Sequence, residues 1–359
     1  MIAPIRRMAG VAVVAGALLT TACSQTAQAP QPRTEFNIGW SIYAGWMPWP
    51  YAQQAGIVKK WGDKYGLKIN IVQVNDYVES VNQFTAGKLD GVTVANMDAL
   101  TIPAAGGKDT SAIIVGDYSN GNDGIVMKGA GDLASIKGQP VNLVELSVSH
   151  YLLARALDTV HLAPNDVKTV NTADADIVGA FASPDVKVAV AWNPQLTAIK
   201  GQPGAKQVFS SADIPGEILD LLCVDTATLK TNPKLGKALA GIWYETTALM
   251  TRQDEQGRQA RAAMAKLAGA TPEAFDRQLS TTHLYADPKA AVTATASPAL
   301  VTTMTRVRDF SFSKGLFKGA ATADAVGIAF PGGKTLGDPA RVTLRFDESF
   351  MKMAAEGKL

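Results

Sequence analysis

The sequence predicts a two-lobed α/β fold, with a mainly parallel sheet in each lobe and a hinge between the lobes. Strand patterns alternate with helix patterns along the first half of the chain, which is typical of βαβ units and parallel sheets. The alternation stops at a polar segment and then begins again. A chain of 359 residues is long enough for two such lobes.

Period-two alternation of apolar residues predicts the strands of the first lobe. These strands are residues 36–40, 68–74, 89–95 and 111–115. Helices are expected between them, one starting at Tyr51 because Pro48 and Pro50 delay it, and one starting at Asn96. Each strand ends in a polar or aromatic loop, and ligands of parallel sheets bind beyond such strand ends.

The second lobe repeats this pattern. Its predicted strands are residues 135–144, 167–170 and 186–192, with helices at 151–157 and 174–181. Residues 219–224 are expected to return the chain as a buried strand, in which Cys223 is an inert small hydrophobic residue. Beyond Asn232 the chain is expected to be mostly helical. Crossovers near 116–124 and 206–214 therefore predict a first lobe of residues 36–116 and 214–359, and a second lobe of residues 117–213.

The N-terminus has the pattern of an export signal. Arg6 and Arg7 precede a short apolar run, and the sequence Leu-Thr-Thr-Ala-Cys that ends at Cys23 resembles a bacterial lipobox. That resemblance implies a lipoprotein signal peptide of residues 1–22, a lipid on Cys23 and a flexible tether of residues 23–35. The alternative is plain secretion to the periplasm with Cys23 unmodified.

Composition excludes several classes of function. Removing residues 1–22 takes away two of the 34 basic residues and none of the 32 acidic ones, so the charges balance and nothing indicates nucleic acid. Two cysteines do not form a disulfide framework, and histidines at positions 150, 161 and 283 do not indicate a metal site. We expect a monomer without a cofactor.

Residues 36–50 concentrate aromatic side chains on one loop. Three of the six tryptophans of the protein fall within ten residues here, after the first strand. Tyr43 and Trp46 are expected to provide flat faces for a small ligand, whereas Trp49, between two prolines, is the ring most readily assigned to the core.

The loops at the strand ends contain carboxylates and lack basic residues. No lysine or arginine occurs in residues 39–54, 75–84, 92–107, 116–127, 141–153, 192–196 or 214–222. The candidate ligand-binding residues in these loops are Tyr43, Trp46, Asp76, Asn96, Asp98, Asp117, Glu145, Trp192 and Glu217. Anions are usually held by arginine, lysine or free N–H groups, so the loops favour a cation.

Guanidinium fits this inventory. Its N–H edge donates to carboxylates, and its face stacks on aromatic rings. An amine has the same charge and is an alternative ligand. Urea and short amides are further alternatives, and an anion of the sulfonate or nitrate type is the alternative of opposite charge. Several carboxylates also have structural interpretations: Asp98 as a helix cap, Asp76 at the lobe edge, and Asp117 in a turn.

Some segments resemble a known family. The aromatic loop, Ala86-Gly-Lys-Leu-Asp-Gly-Val and Asp185-Val-Lys-Val-Ala-Val-Ala-Trp-Asn-Pro resemble periplasmic substrate-binding proteins of ABC importers of the nitrate, sulfonate and taurine type. The resemblance covers nearly the whole chain after the signal. It implies two-lobe closure on a small solute and delivery to a membrane permease.

A narrower resemblance is to the binding proteins associated with urea carboxylases. It rests on the segments 39–49, 75–80, 96–107 and 309–317, and it implies a small, planar, nitrogen-rich ligand. The fold is also shared with a fungal pyrimidine synthase of thiamine biosynthesis, but that enzyme interpretation needs a region rich in histidine and cysteine. A sensor role, with a receptor in place of the permease, is not distinguished by sequence.

Overall fold

The computed structural model describes residues 33–317 and 319–359. The predicted signal peptide, the lipid site at Cys23 and the tether up to residue 32 lie outside the described residues. The last residue of the predicted tether, Glu35, already belongs to the first strand.

The described chain contains fourteen strands and fourteen α-helices. The strands are β1 (Glu35–Trp40), β2 (Lys68–Gln73), β3 (Gly91–Ala95), β4 (Thr110–Ser119), β5 (Asp123–Lys128), β6 (Pro140–Leu143), β7 (Lys168–Asn171), β8 (Val188–Trp192), β9 (Ala205–Ser210), β10 (Leu219–Asp225), β11 (Thr282–Leu284), β12 (Gly327–Ala329), β13 (Thr335–Leu336) and β14 (Val342–Phe346). The α-helices are α1 (Pro48–Gln54), α2 (Ile57–Tyr65), α3 (Tyr77–Thr85), α4 (Asn96–Ala99), α5 (Val148–Thr159), α6 (Ile177–Ala182), α7 (Gln195–Lys200), α8 (Thr226–Thr231), α9 (Pro233–Thr251), α10 (Glu255–Leu267), α11 (Pro272–Leu279), α12 (Pro288–Ala296), α13 (Pro298–Ser313) and α14 (Ser349–Ala355).

The strands form two sheets. The first has the order β13-β12-β14-β4-β10-β3-β1-β2, with β11 on β4, and the second has the order β7-β6-β8-β5-β9. The second sheet is built entirely from residues 123–210. The lobe boundaries at 116/117 and 213/214 remain predictions. The strand β4 of the first sheet ends at Ser119, beyond the first of these boundaries.

Both sheets are mixed, whereas the sequence predicted mainly parallel sheets. The chain leaves the first sheet at the carboxyl end of β4 and re-enters at that same end as β10, so β10 runs antiparallel to β3 and β4. The second sheet has the same arrangement, since β5 enters beside the carboxyl end of β8 and runs antiparallel to it. The parallel pairs predicted from the alternation are present elsewhere, as in β1 with β2 and β6 with β7.

One further local prediction needs correction. The helix expected from Tyr51 begins at Pro48, because prolines in the first turn lack only an N–H that has no helical partner there. Gly56, at φ 77°, then separates α1 from α2.

The region beyond Asn232 is mostly helical, as predicted. It also contains four short strands, and three of these extend the first sheet beyond β4.

The core lies between the sheets and their covering helices. Trp49 is 1% exposed and stacks on Trp243 of α9, with ring centroids 5.4 Å apart, as expected for a core residue. Cys223 is fully buried in β10, and burial raises the pKa of its thiol. Within residues 33–317 and 319–359, no helix combines the length and apolar character that a membrane span requires.

Candidate functional site

Strand ends from both sheets meet where the chain passes between them. Asp117 lies near the carboxyl end of β4, and Asp220 is the second residue of the adjacent β10. Asp123 begins β5 and pairs with Trp192, the last residue of β8. Tyr43 follows β1 on the first sheet. The two crossovers therefore bring polar and aromatic side chains of both sheets to one junction.

A small cavity lies at this junction. Its lining consists of Tyr43, Trp46, Tyr77, Ala95, Asp123, Val148, Trp192, Ile218 and Asp220. Four of these nine side chains are aromatic and two are carboxylic acids, and the described lining contains no lysine, arginine or histidine. Across the described chain, no three His, Cys, Asp or Glu side chains are grouped to hold a metal ion.

The aromatic rings form a continuous wall around the cavity. Trp46 meets Tyr43 edge to face, with centroids 5.0 Å apart, and lies 5.7 Å from Tyr77 at a tilt of 34°. Tyr77 meets Trp192 edge to face at 5.7 Å. All four rings are less than a tenth exposed. Trp192 is the last residue of β8 in the second sheet, whereas the other three rings lie on segments that follow β1 and β2 of the first sheet, so the wall includes residues from beside both sheets.

The aromatic loop fits tightly against the carboxyl groups behind it. The Tyr43 hydroxyl donates a hydrogen bond of 3.2 Å to Asp117 Oδ1. Gly45 lies directly over this pair, because a Cβ on Gly45 would come within 2.5 Å of Tyr43 Cε1 and 2.7 Å of Asp117 Oδ2. A side chain at position 45 would therefore displace one of the two groups.

Burial makes the ionised forms of these carboxyls costly. Burial raises the pKa of Asp123 to about 6 and that of Asp117 to about 7. It raises the pKa of Asp220 well above its usual range, and the charge of Asp117 adds to this effect. Asp98 is fully buried as well, and burial raises its pKa to about 7. No basic residue in the described lining offsets these charges.

Asp98 acts on the cavity through Tyr77. It lies in the first turn of α4 and accepts a 2.6 Å hydrogen bond from the Tyr77 hydroxyl. The same hydroxyl accepts a 3.1 Å hydrogen bond from the backbone N–H of Ala95. These two bonds fix the ring of Tyr77 in the cavity wall, so Asp98 occupies the layer behind the lining.

Three predicted residues lie away from the cavity. Asp76 is exposed and caps α3 by accepting from the Glu79 N–H at 2.8 Å. Asn96 links α4 to β10 and its crossover, donating to the Glu217 carbonyl at 3.1 Å and accepting from the Leu219 N–H at 3.2 Å. Glu145 is half-buried and accepts from the Thr169 hydroxyl.

Glu217 also lies outside the lining and carries its own counter-charges. It accepts hydrogen bonds from the Tyr151 hydroxyl at 2.5 Å, Arg155 Nε at 2.9 Å and Arg306 Nη1 at 3.0 Å. Burial alone would raise its pKa, but hydrogen bonds from Arg155 and Tyr151 outweigh burial and hold the pKa below its usual range. Its charge is thus satisfied within the protein.

Of the predicted site residues, the structure brings Tyr43, Trp46 and Trp192 into the lining and places Asp98 and Asp117 directly behind it. Sequence reasoning did not select Tyr77, Asp123 or Asp220 as site residues. A signal existed for Asp220, a single carboxylate in the otherwise apolar run 218–224. A buried strand carries such a residue only where it has a partner or a function.

The fold resembles solved periplasmic binding proteins. The alkanesulfonate-binding protein SsuA from Xanthomonas axonopodis pv. citri bound to MOPS aligns with TM-score 0.66 and 16% identity, over 79% of this chain and 94% of that one. SsuA from Escherichia coli, a periplasmic aliphatic sulphonate-binding protein, gives 0.66 and 19%, over 80% and 94%. The periplasmic nitrate-binding protein NrtA from Synechocystis PCC 6803 gives 0.57 and 12%, over 89% and 98%. The chain therefore has the two-lobed periplasmic binding protein fold.

Sequence relatives point in the same direction. A protein of Brucella abortus (strain 2308) that is named as a binding protein is 25% identical over 208 residues, which make up 57% of this chain and 64% of that protein. The match thus spans less than two thirds of the length of this curated relative. The NMT1-like family matches residues 29–269, which is more than half of the sequence. The chain belongs to the NMT1-like family.

Proposed function

We propose that this protein is an extracytoplasmic solute-binding protein of an ABC importer, which captures a small planar nitrogen-rich cation such as guanidinium and delivers it to the permease. One observation carries the proposal. Aromatic rings and buried carboxyl groups enclose the cavity, and its described lining contributes no basic side chain.

The charge of the site favours a cation. Asp123 and Asp220 line the cavity and Asp117 lies behind it, and burial raises the pKa of all three. A positive ligand would supply the counter-charge that the described lining lacks, and the attraction would offset the desolvation of both partners. A sulfonate or nitrate would instead face like charges without an arginine or lysine to hold it.

The shape of the site favours a small planar ligand. The cavity is small, and flat aromatic rings form four of its nine lining side chains. Guanidinium places its N–H edge toward carboxylates and its faces on aromatic rings, where each cation–π contact contributes roughly 0.5–2 kcal/mol. A primary amine has the charge but not the flat face, and urea has the face but not the charge.

Closure of the two sheets on the ligand would provide the mechanism. Trp192 and Asp123 come from the second sheet, whereas Asp220 belongs to the first sheet and Tyr43 and Trp46 lie on the segment that follows its strand β1, so a bound cation would contact both halves. Relative movement of two such halves is the usual way in which binding proteins of this fold signal occupancy to a permease. We propose binding without catalysis, since no serine, cysteine, histidine or lysine occurs in the described lining.

The proposed setting follows from the N-terminal sequence and from the narrower resemblance. Residues 1–22 are proposed to direct export to the periplasm, and Cys23 to carry a lipid that anchors a monomeric protein to a bacterial membrane. The likeness of residues 39–49, 75–80, 96–107 and 309–317 to binding proteins associated with urea carboxylases supports a guanidine-like ligand. Both statements are independent of the geometry of the cavity.

Isothermal calorimetry on the purified protein tests the proposal with five ligands: guanidinium, methylammonium, urea, taurine and nitrate. We expect guanidinium to bind most tightly, methylammonium more weakly, and taurine and nitrate not at all. Tighter binding of methylammonium than of guanidinium would indicate that the ligand is an amine and not a planar cation. Binding of taurine or nitrate without binding of guanidinium would refute the cationic assignment.

A further inference from the structure

We propose that Asp117 and Asp220 share one proton when the cavity is empty, and that a bound cation replaces this proton. Ligand capture is then coupled to proton release, and acidification promotes ligand release. This inference rests on the cationic ligand of the proposed function. It adds a dependence of ligand affinity on pH that a site of exposed, fully ionised carboxylates would lack.

The two carboxyl groups are held together by the sheet. Asp220 and Asp117 are directly opposite residues of the antiparallel strands β10 and β4. Because both strands belong to the first sheet, a movement of the second sheet does not separate them. Side chains of opposite residues in an antiparallel pair lie within about 4.5–5.5 Å at their Cβ atoms, so the two carboxyls stay neighbours whether the cavity is open or closed.

A shared proton would satisfy a buried oxygen that has no donor. Asp117 is fully buried and Asp220 is 6% exposed. Asp117 Oδ1 accepts from the Tyr43 hydroxyl, whereas Asp117 Oδ2 has no hydrogen-bond partner in the described protein. Ionised carboxylates only accept hydrogen bonds, so the neighbouring Asp220 can satisfy Oδ2 only if one of the two carboxyls is protonated.

No described cation beside the pair replaces that proton. From the elements packed against it, the titratable groups are Tyr43 after β1, Tyr77 on α3, Asp98 on α4 and Asp123 on β5, together with Tyr285, which follows β11. His283 of β11 is exposed and stacks on Tyr118. Apart from the pair itself, a second small cavity beside it is lined by uncharged side chains that include Trp46, Trp49, Thr93 and Trp243. The charge of Asp123 disfavours a second negative charge at the pair.

The exchange conserves the charge of the buried site. The empty pair carries one proton and one negative charge; binding adds a cation and releases the proton from the pair to solvent. The bound pair then carries two negative charges, of which the cation neutralises one. Since one positive charge leaves as another arrives, the net charge of the cavity is the same before and after binding. By linkage, the apparent Kd rises by up to tenfold for each pH unit below the pKa of the pair.

Calorimetry in buffers of different ionisation enthalpy measures the exchange. At about pH 8, above the raised pKa of Asp117, the empty pair keeps a single proton, and we expect guanidinium binding to release close to one proton per ligand. Infrared difference spectra should show a protonated carboxyl band in the ligand-free protein that disappears on binding. The infrared measurement on the ligand-free protein tests the shared proton even if no ligand is found.

Two variants separate this exchange from general effects of charge. In Asp220→Asn the amide donates to Asp117 in place of the proton, so we expect weaker guanidinium binding with proton release reduced to less than half. Asp117→Asn is the companion variant if Asp220→Asn does not fold. Asp63→Asn, an exposed position on α2, is the matched control and should change neither the affinity nor the proton count.

Guanidinium binding at about pH 8 without proton release would overturn the exchange and leave the proposed function standing. The absence of a protonated carboxyl band in the ligand-free protein would overturn it as well. Absence of guanidinium binding at every pH would refute the proposed function, and with it the cationic ligand on which this inference depends.

Discussion

The substitution Asp123→Asn should weaken ligand binding and stabilise the ligand-free protein. Asp123 is 3% exposed, lines the cavity and accepts a 2.5 Å hydrogen bond from the Ser119 hydroxyl. An asparagine keeps the shape and an oxygen that accepts from Ser119, and it removes the charge. Because the charge is what a cation would use and what burial opposes, the two effects have opposite signs.

The structure sets the size of both effects. A hydrogen bond to a charged group contributes roughly 1.5–3 kcal/mol, so its loss should raise the Kd for guanidinium by roughly 10- to 150-fold. Burial raises the pKa of Asp123 from 3.8 to about 6, a difference of about two pH units. At pH 7.5 the ionised carboxylate therefore destabilises the folded protein by roughly 3 kcal/mol. A neutral asparagine should remove part of this destabilisation.

Isothermal calorimetry gives the Kd, and thermal unfolding of the ligand-free protein gives its stability. The matched control is Asp63→Asn, which removes a carboxylate from an exposed helix face. An unchanged Kd would mean that Asp123 does not contact the ligand. A less stable Asp123→Asn variant in the absence of ligand would mean that the Asp123 carboxylate makes a stabilising interaction beyond the described contacts.

Three further outcomes are expected. Gly45→Ala should weaken guanidinium binding at least tenfold by displacing Tyr43, measured by calorimetry, whereas Gly179→Ala, whose Cβ meets no atom within 4 Å, should leave the Kd unchanged. Arg155→Gln should destabilise the protein by roughly 3 kcal/mol, because it leaves the buried charge of Glu217 with only the half-exposed Arg306 as a basic partner, and Arg306→Gln by roughly 1 kcal/mol or less; equal losses in thermal unfolding would contradict this difference. Stability of the ligand-free protein should rise as the pH falls from about 8 to about 5, because the raised carboxyl pKa values of the site favour protonation of the folded state; a fall in thermal midpoint over this range would contradict the assignment.

The strands were predictable where the residues of the strand itself show the pattern that identifies it. Period-two alternation located β1, β2 and β3 to within about two residues, because inward and outward side chains alternate along any half-buried strand. The same signal is present in β14, as Val-Thr-Leu-Arg-Phe, and would have revealed it. β13 has only two residues, which is too short to show an alternating pattern. The directions of β5 and β10 depend on where the chain crosses between sheets, which no local pattern contains.

The character of the cavity lining was predictable in part. The aromatic loop and the scarcity of basic residues near strand ends predicted aromatic rings and carboxyl groups in one place, and Tyr43, Trp46 and Trp192 do line the cavity. The cationic ligand itself stays a prediction. Asp76 and Glu145 had the right residue type at a strand end, but each bonds to a nearby backbone or hydroxyl group instead. Short polar side chains at such positions often satisfy the backbone, so position alone does not separate a cap from a ligand contact.

Glu217 and Asp220 show what the sequence leaves out. They are three residues apart in a segment without lysine or arginine, so a linear scan treats them alike. In the fold, Arg155 from α5 and Arg306 from α13 converge on Glu217, while Asp220 faces another carboxyl in β4. Both arginines lie outside the loops in which basic residues were sought, and only tertiary structure brings them to Glu217. A buried carboxylate that the fold leaves without a basic partner is the one whose charge a ligand can neutralise, and Asp220 meets that condition where Glu217 does not.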